Sequence, residues 1–260
     1  MRTTLFAWLA MAASVAQGGV PRNEAKPGSP ANQPVPGSVI ESRDTDFEIG
    51  VRFAGGRGVL QSYEKAAEHY RKAAERGHAP AQFNLGCLYE NGQGVQRDLT
   101  EAARWYRAAA VRGEAQAQTN LGVLYATGAG VDKDDSEAAR WYEKASAQGD
   151  LEATTNLGML YLQGRGVPPD LDKAVALISS AAWSGYAAAQ NNLALLYANG
   201  QGVAKSYSLA CAWLELAADT LPQAAELRSR IAAHMSPEEV RQSKELAGEI
   251  RRKIDDRSRQ

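Results

Sequence analysis

The sequence has little of what most catalytic chemistry needs. Two cysteines in 260 residues can build neither a disulfide framework nor a four-thiolate metal site. The three histidines, His69, His78 and His234, stand at no metal-ligand spacing. No G-x-S-x-G or S-x-x-K nucleophile motif falls in a suitable context. Aromatic residues make up only 7%, too few for a β-sandwich, which favours β-branched and aromatic side chains. An excess of one charge is also missing: 29 Lys and Arg face 30 Asp and Glu, for a net charge of −1. That balance argues against a phosphate-binding surface along the chain, so no nucleic-acid partner is expected. No apolar run reaches the roughly 20 residues that a membrane helix needs. No catalytic residue, metal site or cofactor is expected.

What the chain does have is small residues, a leader-like start and a repeat. Arg2 precedes an apolar core, Leu5 to Ala16, with small residues at Ser14 and Ala16. This is the form of a secretory signal peptide, residues 1–16, cleaved after Ala16. The same run is too short to serve as a membrane anchor. The expected fate is therefore export, and the repeat type described below makes the expected location the periplasm or the outside of the cell. Residues 17–45 carry five of the ten prolines, Pro21, Pro27, Pro30, Pro34 and Pro36, among Gly, Ser, Asn and Gln. Such a stretch cannot bury enough apolar surface to offset its ordering entropy, so it reads as a flexible linker.

From residue 46 to 221 the chain repeats five times with an offset of 36 residues and no insertion. Ile49, Leu85, Leu121, Leu157 and Leu193 fall in register, as do Phe53, Tyr89, Tyr125, Tyr161 and Tyr197. Each unit reads as two helices. Phe83, Leu85, Leu88 and Tyr89 keep helical spacing until Gly92 and Gly94, which suit the positive φ of a helix end. Helix capping, not a phosphate loop, explains these glycines, because a helix precedes them and they recur in every unit. Ser62, Asp98, Asp134, Asp170 and Ser206 stand where the second helix begins and are good N-caps. Glu101 and Glu137 lie three residues on, as in a capping box. Paired alanines such as Ala102-Ala103 allow close helix approach, and Trp105, Trp141 and Trp213 fill bulky positions. One hairpin cannot bury its apolar faces alone, so the fold class is all-α, a right-handed α-α superhelix or solenoid of five helix hairpins. Residues 222–260 lose the phase. Ser236-Pro237-Glu238-Glu239 starts a helix there, and Val240, Leu246, Ala247, Ile250 and Ile254 give it an apolar stripe, so a C-terminal helical cap is expected with a frayed tail from Arg257.

The L-G-x-x-Y of Leu85, Gly86 and Tyr89, the following G-x-G-V, the capping Asp and the A-A-x-W-Y-x-x-A-A of Ala102 to Ala110 resemble the Sel-1-like repeat, or SLR, a relative of the tetratricopeptide repeat. The resemblance implies an exported, non-catalytic adaptor of the bacterial envelope that binds a protein or peptide partner on its concave face. A second implied class is a hydrolase of β-lactams or cell-wall substrates, found with cysteine-rich relatives. This chain lacks their repeated cysteines, so that activity is not carried over. Cys87 and Cys211 occupy apolar columns in different repeats and read as small buried fillers, and His69, in the Trp105 register, reads as a packing residue.

One polar column stands out: Asn84, Asn120, Asn156 and Asn192, next to Phe83, Thr119, Thr155 and Asn191. Asparagine is a mediocre helix former, so its recurrence asks for a reason. The resemblance implies that this face lines the inner groove, where amides hold a peptide. The other reading is structural, with the amides bonding between repeats.

Overall fold

The computed structural model describes residues 45–259. The leader and all of the linker but Thr45 lie outside the described residues. Twelve α-helices and no strand are found among those described. They fall into two compact units that divide at Asp134/Asp135.

The first unit holds α1 (Asp46–Gly55), α2 (Tyr63–Glu75), α3 (Ala79–Asn91), α4 (Leu99–Ala110) and α5 (Ala115–Thr127). Each packs on the helix before it. The second unit holds α6 (Asp135–Ser146), α7 (Leu151–Gln163), α8 (Leu171–Trp183), α9 (Ala187–Asn199), α10 (Tyr207–Ala217), α11 (Pro222–Ala232) and α12 (Pro237–Ser258). Here too the helices of the hairpins pack on their chain neighbours, while both α11 and α12 lie on α10. Contacts made mainly between sequence neighbours are the mark of a solenoid, and the all-α repeat fold read from the sequence is the one found.

Local chemistry explains the helix ends. Asp98 accepts from Thr100 N–H at 2.9 Å and Glu101 N–H at 3.0 Å, and Ser62, Asp170 and Ser206 cap α2, α8 and α10 in the same way. The reciprocal arm of the expected capping box does not form at α4, because the Glu101 carboxylate turns to Arg104 Nε at 3.2 Å. Full boxes form instead at Thr45/Glu48 and Ser236/Glu239. At the end of α3, Gly92 adopts φ +67° and its N–H closes on the Leu88 carbonyl.

Glycine also sets the spacing between hairpins. Gly94 has φ +68°, and a Cβ built there would meet the Tyr63 carbonyl carbon at 2.1 Å. The loop after α3 thus rests backbone to backbone on the first turn of α2. Gly130 on Leu99 and Gly166 on Asp135 repeat the contact. Within a hairpin, a Cβ on Gly86 would lie 2.7 Å from the Tyr106 ring, and one on Gly50 would lie 2.6 Å from the Tyr70 ring. In the fourth repeat Gly158 faces Ile178. In the fifth, Ala194 stands in the glycine column and Leu214 in the tyrosine column, both fully buried. The larger helix residue is matched by the smaller partner.

A buried amide joins successive helices. Gln82 Nε2 donates to the Ala74 carbonyl at 2.9 Å, Gln118 to Ala110 at 3.0 Å and Gln190 to Ala182 at 3.3 Å. These carbonyls sit at the end of the second helix of the preceding hairpin, where helix acceptors lack intrahelical donors. The fourth repeat has the shorter Thr154 at this position, and the alanine opposite has become Ser146. The two hydroxyls bond at 2.8 Å.

At the N-terminal end, Asp46 occupies the glutamine column with no described hairpin before it. It turns to its own hairpin instead, pairing with His69 Nδ1 at 3.1 Å and Arg76 Nη1 at 2.7 Å. His69 also stacks on Phe53, with ring centroids 6.0 Å apart, so its packing role carries a polar one. His78 caps α3 by accepting from Ala81 N–H at 3.2 Å. The expected frayed tail is a correction: α12 runs helical through Ser258, and Arg257 lies 5.1 Å over the Trp183 ring. That cation–π contact gives the last turn a reason to stay ordered.

Candidate partner-binding site

The first helix of each hairpin is covered on most sides. In α3, Ala81, Gln82, Phe83, Leu85, Gly86, Cys87 and Leu88 are all buried. Part of what remains accessible lies at helical spacing: Pro80, Asn84 and Asn91 in α3; Gln116, Asn120, Val123 and Thr127 in α5; Ala79, Tyr89 and Glu90 of α3 and Ala115, Tyr125 and Ala126 of α5 are half-buried off this line. In the second unit the same positions are Glu152, Asn156, Met159 and Gln163 in α7, and Ala188, Asn192, Leu195 and Asn199 in α9. Each stripe therefore centres on a half-buried asparagine. An apolar residue one turn on is half-buried too, except at Cys87, which is buried. Glu152 is the one charged side chain in these four stripes.

The two columns singled out from the sequence part company here. Asn84, Asn120, Asn156 and Asn192 lie on the accessible stripe, and Asn191 is half-buried. Phe83, Thr119 and Thr155 are buried. Thr119 Oγ1 donates to the Ala115 carbonyl at 3.1 Å and Thr155 Oγ1 to Leu151 at 2.7 Å, so both hydroxyls are used within their own helices. Phe83 packs on Tyr106, with centroids 5.9 Å apart. Burial pushes the Tyr142 phenol up, and the Glu152 charge adds to that, while Asn156 and Arg165 oppose it.

A group that the sequence reading missed lies beside the first of these stripes. Tyr106 is fully buried, and its hydroxyl donates to Glu90 Oε2 at 2.5 Å and lies 3.4 Å from Cys87 Sγ. Burial raises the Tyr106 phenol far above its ordinary range, and Cys87 and Glu90 add to the shift. Burial also pushes the Cys87 thiol up to about 12, which makes it a poor nucleophile. The one available signal was register: Glu90 aligns with Ala54, Ala126, Leu162 and Ala198.

Both cysteines are free and buried, as their apolar columns suggested. No group of three His, Cys, Asp or Glu able to hold a metal ion occurs among the described residues. No helix among them is long and apolar enough to cross a membrane.

Comparison with known proteins agrees with this architecture. The Sel1 repeat family model matches residues 46–78, 79–113, 115–150, 151–186 and 187–219. A Sel1 repeat protein from Oxalobacter formigenes is similar in structure, with a TM-score of 0.63 and 38% identity over 68% of this chain and 72% of that one. A protein with an SLR fold from uropathogenic Escherichia coli, c5321, described as a protective antigen, has a TM-score of 0.53 and 28% identity. That match covers 80% of this chain and 53% of that one. No curated protein matches the sequence. Five matched repeats over most of the described chain establish that the chain belongs to the Sel1 repeat family.

Proposed function

We propose that this protein is a non-catalytic scaffold that holds a protein or peptide partner on the accessible stripe of its first helices. The observation that supports this is the stripe itself. In each of four largely buried helices a half-buried asparagine recurs at the same register, with apolar surface beside it in three of them. An amide offers a donor and an acceptor together, which suits a peptide backbone, and the neighbouring apolar side chains can bury a partner's side chains. The half-buried amides are open to a partner on one side and packed against the protein on the other.

We further propose that the scaffold works in the bacterial envelope or outside the cell, after removal of residues 1–16. The leader-like sequence supports export, and both solved relatives above come from bacteria. The description of the E. coli relative as a protective antigen fits an exported setting. The hydrolase alternative gains no support from the Cys87 thiol, which burial holds up at about 12.

A change of Asn84 and Asn120 together to Ala tests the binding role. Two amide contacts at about 0.5–1.5 kcal/mol each give a loss of roughly tenfold in affinity for the native partner, with a small change in melting temperature. A large fall in melting temperature with normal binding by the folded fraction would make these asparagines structural. Intact-mass measurement of protein from the envelope fraction tests export, and a species retaining Met1 to Ala16 only in the cytosol would refute it.

A further inference from the structure

We propose that Glu90 receives a basic side chain, lysine or arginine, of the docked polypeptide. This rests on the scaffold reading above and names the chemistry of its partner. Glu90 is half-buried near the end of α3, beside Asn91 and one turn after Cys87. It is the only acidic residue in a column that otherwise holds Ala54, Ala126, Leu162 and Ala198. Its carboxylate is fixed from below by the hydroxyl of the fully buried Tyr106, at 2.5 Å. Tyr106 in turn is wedged against Gly86, so the anchor has little freedom to swing.

Among the described residues Glu90 forms no ion pair. The Arg97 guanidinium donates from Nε to the Glu90 main-chain carbonyl at 2.9 Å, not to its carboxylate. A half-buried carboxylate with one neutral donor and no cation is an incomplete arrangement, since buried charges are ordinarily paired. If Tyr106 needed only an acceptor, a neutral amide would serve without the desolvation that a carboxylate brings. Glu90 directly precedes Asn91, the last accessible residue of the α3 stripe, so a partner seated there can supply the missing cation. Arginine and lysine are the side chains that complete such a pair. The matching positions in α1, α5, α7 and α9 are apolar, which places the charge contact at one hairpin and would fix the register of a bound segment.

Selection of phage-displayed random dodecapeptides on the full chain supplies the probe. Selected peptides should share a Lys or Arg, and a synthetic copy should lose about tenfold in affinity on Glu90→Gln. Changing the peptide's basic residue to norleucine should remove that loss. Glutamine keeps an acceptor for Tyr106, and an unchanged melting temperature confirms that the variant is folded. Peptides weakened by Asn84→Ala but unaffected by Glu90→Gln would overturn this inference and leave the scaffold reading standing. Peptides indifferent to both changes, or no binder at all, would overturn both.

Discussion

Gly86→Ala is expected to destabilise the protein, although alanine is the better helix former by about 1 kcal/mol. The added Cβ would lie 2.7 Å from two carbons of the Tyr106 ring. Those atoms belong to a fully buried ring held at its far end by Glu90, so they cannot yield as a flexible tip would. Overpacking of this kind costs about 1–3 kcal/mol, and the rigid anchor puts the figure near the top of that range. The net loss should be about 2 kcal/mol. Tyr106→Leu alone should lose about 2–4 kcal/mol through the cavity it leaves. The fifth repeat carries the combination Ala194 and Leu214 in a fully buried core. The double variant Gly86→Ala/Tyr106→Leu should therefore be more stable than the sum of its parts by at least about 1 kcal/mol. Urea denaturation followed by circular dichroism, with the four proteins at one salt concentration, measures the cycle. A higher midpoint for Gly86→Ala, or additivity within about 0.5 kcal/mol, would refute the steric reasoning.

Three further outcomes follow from the same contacts. Asp98→Ala should lower the urea midpoint by the equivalent of about 1 kcal/mol, since two N–H groups at the start of α4 lose their acceptor, while Asp98→Asn should keep most of it; equal midpoints for all three proteins would make Asp98 a solvated loop charge. The hydrogen bond from His69, and then the guanidinium of Arg76, hold the Asp46 carboxyl below the usual carboxylate range. Its folded value is therefore the lower one, so its stabilisation is complete above the unfolded value of about 3.9 and fades as pH falls through the folded value. The stability gap between the protein and Asp46→Asn should be widest near neutral pH and close in acid, and a gap that is flat with pH would contradict the pairing. Burial raises both thiols, Cys87 to about 12, so a thiol reagent at pH 8 should count none in the native protein and two in urea; a fast-reacting thiol in the native state would show that the core around it opens.

The sequence announced the helices, their caps and the terminal glycines because each depends on residues a few positions apart. Leu85 and Leu121, Ser62 and Asp98, Gly92 and Gly77 all act through local backbone geometry that recurs every 36 residues. Contacts between hairpins were harder to read. Gln82, Gln118 and Gln190 share a register, but the partner of Gln82 is the carbonyl of Ala74, and a main-chain acceptor has no signature in residue type. The exchange of Gln and Ala for Thr154 and Ser146 becomes meaningful only once the two positions are known to touch. The candidate site was half legible. α3 and α5 have apolar or small residues almost all round, so periodicity could not tell Asn84 on the open side from Phe83 on the closed side, one position away. Glu90 was overlooked because its neighbours in the alignment are unremarkable alanines, and its meaning comes from Tyr106 in the next helix. The tail was misread as frayed because its charges hide a ring contact with Trp183.

The central claim is that a partner docks on the open stripe of the first helices. A photo-crosslinking amino acid placed at Val123, on the stripe of α5, tests it most directly when compared with the same group at Arg104, an exposed position on α4. Irradiation of cells carrying each variant should give a discrete crosslinked protein from position 123 that is absent from position 104 and is lost when Asn84 and Asn120 are both changed to Ala. Equal crosslinking from both positions, or a position-123 product that survives the double change in a folded protein, would contradict docking on the stripe.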